Sequence, residues 1–170
     1  MRGALVRFAV CAAALAVTFA CGVRADSVPE TSACRDLKYS KGGPARAAYL
    51  PCAGEIMATL EQVERHAQAA LKGDREARGE GRAAVRRVTA LMKSAGGLDL
   101  LDRWNDRVLT DLNLDIHNAV THYDTFYMMP LKEEPHPFAA KMREAAGAEM
   151  QGGRRNYLEA RVQYRRLGGR

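Results

Sequence analysis

The sequence predicts an all-α protein: an antiparallel up-down four-helix bundle with a disulfide-tethered N-terminal segment. Three observations carry this. After Gly42-Gly43-Pro44 the apolar residues recur at steps of three and four almost to the C-terminus, the spacing of one helix face. Nowhere do apolar and polar residues alternate over a sustained run, so no strand is expected. The stripes are interrupted at Lys72-Gly73, Gly96-Gly97 and Pro130–Pro137, and short connections favour antiparallel neighbours.

In the first helix Tyr49, Ala53, Ile56, Leu60, Val63, Ala67 and Ala70 form an a/d stripe over three heptads. Pro51 interrupts its start, and regular helix is expected from there, at a first-turn position that tolerates proline. The second helix should run from about Asp74 to Ser94. At about 100° per residue, Ala84, Val88, Leu91 and Ala95 share one side, with Arg75, Arg78, Arg82, Arg86 and Lys93 opposite. Gly79 and Gly81 each weaken its first half by roughly 1 kcal/mol relative to alanine, so fraying is expected there.

The third helix is expected over Leu98–Met129. Leu101, Val108, Leu112, Ile116, Ala119, Tyr123 and Phe126 make its buried face, while Asp99, Asp102, Asp106, Asn113, His117, Thr121 and Asp124 line the far side. The fourth starts near Pro137, with Phe138, Met142, Ala145 and Ala146 inward. Gly152-Gly153 is expected to break or bend it before Tyr157, Ala160, Tyr164 and Leu167 resume the stripe.

The N-terminus carries a different message. Met1–Arg7 is a short positive start, Phe8–Ala20 an uncharged apolar run, and Val23-Arg24-Ala25 a small-x-small site. That is the plan of a secretory signal peptide over residues 1–25. The run of about 13 residues is too short for a membrane span of roughly 20, so no transmembrane helix is expected in the mature chain. Cys21 after Thr18-Phe19-Ala20 offers a second outcome, lipidation, which alone would attach the protein to a membrane. The expected organisation is a signal peptide (1–25), an irregular segment (26–43) and a helical domain (44–170), located in the periplasm or outside the cell.

Cleavage after Ala25 removes Arg2, Arg7 and Arg24, so the net charge falls from +6 to +3. It also leaves Cys34 and Cys52 as the only cysteines, which in an oxidising compartment are expected to pair. Charge is unevenly spread. Asp99–Asp124 holds six acids against Arg103 and Arg107, Arg75–Lys93 six bases against Glu76 and Glu80, and Arg154–Arg170 six arginines against Glu159. A negative third helix between positive neighbours favours that order, although each exposed pair contributes well under about 1 kcal/mol.

Among functional candidates, Asp111, Asp115, Asn118 and His122 follow at helical steps along the third helix, with Met129 and His136 beyond. Inward carboxylates and imidazoles build metal sites in bundles, and Met with His suits a soft metal. Noncovalent haem held by Met and His is the related reading; no C-x-x-C-H is present for covalent attachment. The competing reading pairs the acids with Arg86, Arg87, Arg161 or Arg165. His117 and His122, five apart, stand roughly 140° from each other and cannot form a helical zinc pair. His66 has no carboxylate neighbour on its own helix face. No serine lies in a G-x-S-x-G elbow and no glycine-rich phosphate loop follows a strand, so no enzymatic signature is present.

Two basic surfaces remain: Arg75, Arg78, Arg82, Arg86 and Lys93 on the second helix, and Arg154, Arg155, Arg161, Arg165 and Arg166 at the C-terminal end. Export argues against nucleic acid, and neither stripe interleaves aromatics for base stacking. Tyr157 and Tyr164 mix with Arg161 and Arg165 as interface cores do. The sequence therefore points to an exported non-enzymatic protein binding an envelope protein or anionic surface component through charged helix faces. The alternative is a metal or small-ligand carrier using Asp111, Asp115, His122, Met129 and His136.

Overall fold

The computed structural model describes residues 28–35, 37, 46–96, 106–131 and 136–169. Their regular structure is entirely helical: α1 (Arg46–Leu71), α2 (Arg75–Ser94), α3 (Arg107–Met128) and α4 (Ala139–Arg166). Residues 1–25, with Cys21, lie outside the described residues, as does half of the 26–43 segment. α1 packs chiefly on α2 and α3 chiefly on α4; the two pairs meet through α1–α4, α2–α3 and, least, α1–α3.

α1 buries its whole stripe, Tyr49, Ala53, Ile56, Leu60, Val63, Ala67 and Ala70. Removing its larger apolar members from water stabilises the fold by about 1.5–3 kcal/mol each. The expected start at Pro51 is corrected, because α1 begins at Arg46 with Pro51 inside it. Proline there forfeits one hydrogen bond to the preceding turn. That turn is held by a tertiary contact instead: the buried Tyr49 hydroxyl donates to Asn113 Oδ1 of α3 at 3.3 Å.

α2 is capped by Asp74, whose carboxylate accepts from the Ala77 N–H at 3.0 Å. The expected fraying at Gly79 and Gly81 does not occur. Gly81 is buried, and a Cβ there would overlap the Tyr127 phenol, so glycine admits a close approach of α3. Arg78 and Arg82 are also corrected. They turn inward, half-buried, and donate to the Phe126, Tyr127 and Met129 carbonyls at the end of α3. The last carbonyls of a helix have no intrahelical donor, and α3 carries no basic residue in its own last turn.

α3 is shorter than expected. Asp106 has an extended backbone and caps the helix by accepting from the Val108 and Leu109 N–H groups, so the helix starts at Arg107; Leu101 lies outside the described residues. Asn113, expected on the far side, is buried instead, because Tyr49 claims its side chain. α4 runs unbroken through Gly152-Gly153. Both glycines are buried, and a Cβ on either would stand 2.8–3.0 Å from the His122 ring or 3.0 Å from the Tyr123 ring. The pair is a notch for α3, not a break. Phe138 and Ala145, expected inward, are exposed, since Ala139, Ala146 and Met150 already fill that side.

Polar groups tie the core together. The Tyr123 hydroxyl donates to the Glu64 carboxylate, which Arg154 approaches at 3.3 Å, linking α1, α3 and α4. The Tyr127 hydroxyl donates to the Val63 carbonyl at 2.9 Å. Burial, reinforced by Glu64, pushes both phenols well above their ordinary range, so they remain protonated donors.

The N-terminal segment is anchored to two helices. Ser32 Oγ and the Ala33 N–H donate to the Glu55 carboxylate of α1 at 2.7 and 2.8 Å, and Ser94 of α2 donates to the Cys34 carbonyl at 3.2 Å. The Cys34 and Cys52 sulfurs are 2.07 Å apart. Closing a loop of this length stabilises by about 3 kcal/mol, so Cys34→Ser is expected to lower unfolding stability by that order. A denaturation midpoint indifferent to reductant, with an intact mass unchanged by reduction, would count against the bond.

Candidate interaction surface

The acidic edge of α3 faces α4, but its members find separate partners. Asp111 lies 3.9 Å from Arg107 of its own helix. His122 Nδ1 is 2.7 Å from Glu149 Oε2, with its ring laid over Gly152. Met129 contributes its backbone carbonyl to Arg78, and His136 is exposed beside the Phe138 ring. Among the described residues no group of three His, Cys, Asp or Glu side chains gathers as a metal ion would require. His66, which lacks an acid on its own face, meets Glu80 of α2 at 3.1 Å.

Asp115 faces acids. Burial first, then the charges of Glu159 and Asp111, raise its carboxyl above the ordinary range. A carboxyl raised in the folded state stabilises when protonated, and that contribution is lost as pH rises through the raised value. Asp115→Asn should therefore raise the melting temperature at neutral pH, with the gain disappearing below about pH 4. Thermal melts at the two pH values decide this; an equal shift at both would remove the electrostatic explanation.

The outer face of α4 has a different chemistry. The helix buries Ala146, Met150, Gly152, Gly153, Tyr157 and Ala160, so at about 100° per residue Leu158 and Val162 point away from the core. They are 47% and 44% exposed, large values for apolar side chains on a helix whose other face supplies the core. Arg155, Arg161 and Arg165, all exposed, surround them, with Arg154 and Arg166 at the edges. Arg154 is committed in part to Glu64, and Arg166 donates to Gln163 at 3.3 Å. Arg165 and Arg166 in the last turn also complement the helix dipole.

Arg161 and Arg165, together with Glu61 of α1, form the lip of a groove of about 160 Å³ between α4 and α1, floored by the buried Met57 with Ala58, Tyr157 and Tyr164 on its walls. Gly54 lets Tyr164 lie close, since a Cβ there would be 2.8 Å from the Tyr164 hydroxyl. Burial pushes the Tyr157 phenol up, opposed by Arg161. The surface thus joins an apolar ridge, two tyrosines and a cationic rim, the composition of protein interfaces. Sequence reading found the arginines and tyrosines but passed over Leu158 and Val162. Their signal was legible: they sit opposite the Tyr157, Ala160, Tyr164 stripe.

The basic stripe of α2 does not survive as one surface, because Arg78 and Arg82 serve α3. Arg75, Arg86 and Lys93 remain exposed, and Arg75 and Arg86 are engaged with other residues. No protein-family model, curated protein or solved structure matches the chain.

Proposed function

We propose that this is an exported, non-enzymatic helical protein that binds an acidic partner protein through the outer face of α4. The observation that carries the reading is the exposed Leu158–Val162 ridge enclosed by arginines. Anchors of this kind supply affinity when buried, while surrounding charges steer encounter and fix register. A partner presenting carboxylates around an apolar slot complements it. The frame is an antiparallel up-down bundle, supported by contacts in which rising positions of α1 meet falling positions of α4, Gly54 with Tyr164 and Glu64 with Arg154. The Cys34–Cys52 pair tethers the N-terminal segment to it. Periplasmic or extracellular location, with lipidation at Cys21 as the variant form, rests on the N-terminal pattern.

A photo-crosslinking amino acid at position 158, placed in the chain in its native cells, tests the proposal. A discrete protein adduct is expected, lost on Arg161→Glu with Arg165→Glu and absent from the same probe at position 87. A lipid adduct would replace the protein partner with an anionic membrane component. No adduct above the position-87 control would remove the binding surface altogether.

A further inference from the structure

A second surface lies on the opposite side of the molecule, between α2 and α3. The two helices are clamped at one end, where Tyr127 enters the notch at Gly81 and Arg78 and Arg82 hold the α3 terminus. Beyond Val85 they leave a trough of about 400 Å³, the size of a small-molecule site. Its floor is apolar, from Met92 and Val120. Three threonines complete the walls, and each hydroxyl is turned back on its own helix. Thr89 donates to the Val85 carbonyl at 3.0 Å, Thr121 to that of His117 at 3.0 Å, and Thr125 to that of Thr121 at 2.9 Å. With those hydroxyls satisfied, the threonines offer the trough chiefly methyl groups.

The polar groups are distributed asymmetrically. Since Arg82 meets Tyr127, later residues of α2 lie beside earlier residues of α3, so Lys93 belongs with the His117 end. Asp124 stands seven residues further along α3, about 10 Å away, and would repel an anion there. Lys93 and Asp124 also border an adjoining lobe with Arg86, and Arg86 is already engaged. From His117 to Thr125 the trough runs about 12 Å, the length of a chain of about ten carbons with bonds of about 1.5 Å.

We infer that the α2–α3 trough binds a medium-chain amphiphile with an anionic head, its carboxylate at Lys93 and His117 and its chain over Met92 and Val120. Apolar burial supplies most of the affinity, and Lys93 sets the orientation. The inference is independent of the α4 surface.

Decanoate titrated into the purified full chain, followed by calorimetry and amide chemical shifts, tests this. One saturable site is expected, with shifts at Thr89, Lys93 and Val120. Thr121→Phe fills the trough from an exposed helix position and should abolish that site. Thr125→Phe serves as a second blocking variant, and circular dichroism confirms that each retains its helix content. Lys93→Met, and decanol in place of decanoate, should each weaken binding about fivefold, the effect of one partly exposed ion pair. Absence of saturable binding, or equal binding by the parent and both blocking variants, would overturn the site. Equal affinity for decanol and decanoate would overturn the anionic head.

Discussion

Gly81→Ala is expected to destabilise the protein by about 2 kcal/mol, against the direction of helix propensity. Alanine in a helix interior gains roughly 1 kcal/mol over glycine, and Gly79, two residues earlier, should show that gain because nothing lies within 4 Å of a Cβ there. At Gly81 the new methyl would overlap the Tyr127 hydroxyl and ring. Tyr127 cannot give way freely. It is fully buried, stacks edge-on to Phe126 at 4.7 Å and donates to Val63 at 2.9 Å. Overpacking of this kind costs about 1–3 kcal/mol, and displacing the phenol loses a hydrogen bond worth about 1 more. Urea denaturation of Gly79→Ala and Gly81→Ala should thus move the midpoint in opposite directions. Tyr127→Phe should partly relieve Gly81→Ala, because the overlapping hydroxyl is gone, giving a non-additive cycle. If both glycines respond alike, the close approach of α2 and α3 is wrong.

Arg78→Ala should cost about 2–3 kcal/mol, and Arg82→Ala about 1–2, as expected for charged donors to helix-terminal carbonyls. Arg78 reaches the Tyr127 carbonyl at 2.9 Å and that of Phe126 at 3.3 Å, with its guanidinium 5.8 Å from the Phe126 ring centre. Arg82 reaches the Tyr127 carbonyl at 2.6 Å. Burial first, then the neighbouring Arg82 charge, lowers the pKa of Arg78. Among the described residues Arg78 Nη1 and Arg82 Nε are buried without a hydrogen-bond partner, which trims the net gain below the sum of the bonds. Exposed Arg87 provides the control, and Arg87→Ala should change stability by less than about 0.5 kcal/mol. Lysine at position 78 should recover part of the loss, because the three carbonyls surround the single nitrogen Nη2, which an ammonium can replace, while the planar guanidinium's place over the Phe126 ring is lost. Indistinguishable unfolding curves for Arg78→Ala and Arg87→Ala would return Arg78 to the solvated stripe that its spacing suggests.

The two cases share a lesson. At sequence level Arg78 and Arg82 belong to a row of outward cations, and Gly81 to a weak half-helix. Both readings follow from local periodicity, and both fail where another helix end or a tyrosine arrives from outside the segment. Asn113 and His122 behave likewise. Asn113 is polar in a far-side pattern yet buried by Tyr49, and His122 meets Glu149 of α4, a partner that the spacing along its own helix does not reveal. Of the candidate interaction surface, the arginines and tyrosines were visible as composition. The exposure of Leu158 and Val162 was legible too, because both lie off the Tyr157, Ala160, Tyr164 stripe that the spacing already marks as inward.

Apolar spacing is a property of each helix taken singly, so the chain alone specified four helical rods and the buried stripes of α1 and α2. It also marked where the connections fall. Which side chain meets which across a seam depends on the relative height and rotation of two rods, and no residue encodes that locally. Packing settled that matter, and the local backbone settled where α3 begins: glycines at 81, 152 and 153 became notches because rings from α3 fill them, and Asp106 set the start of α3 because its extended backbone and carboxylate cap it. The physical reason is range, since a periodic stripe or an N-cap acts within one turn while a notch requires a ring from a helix tens of residues away.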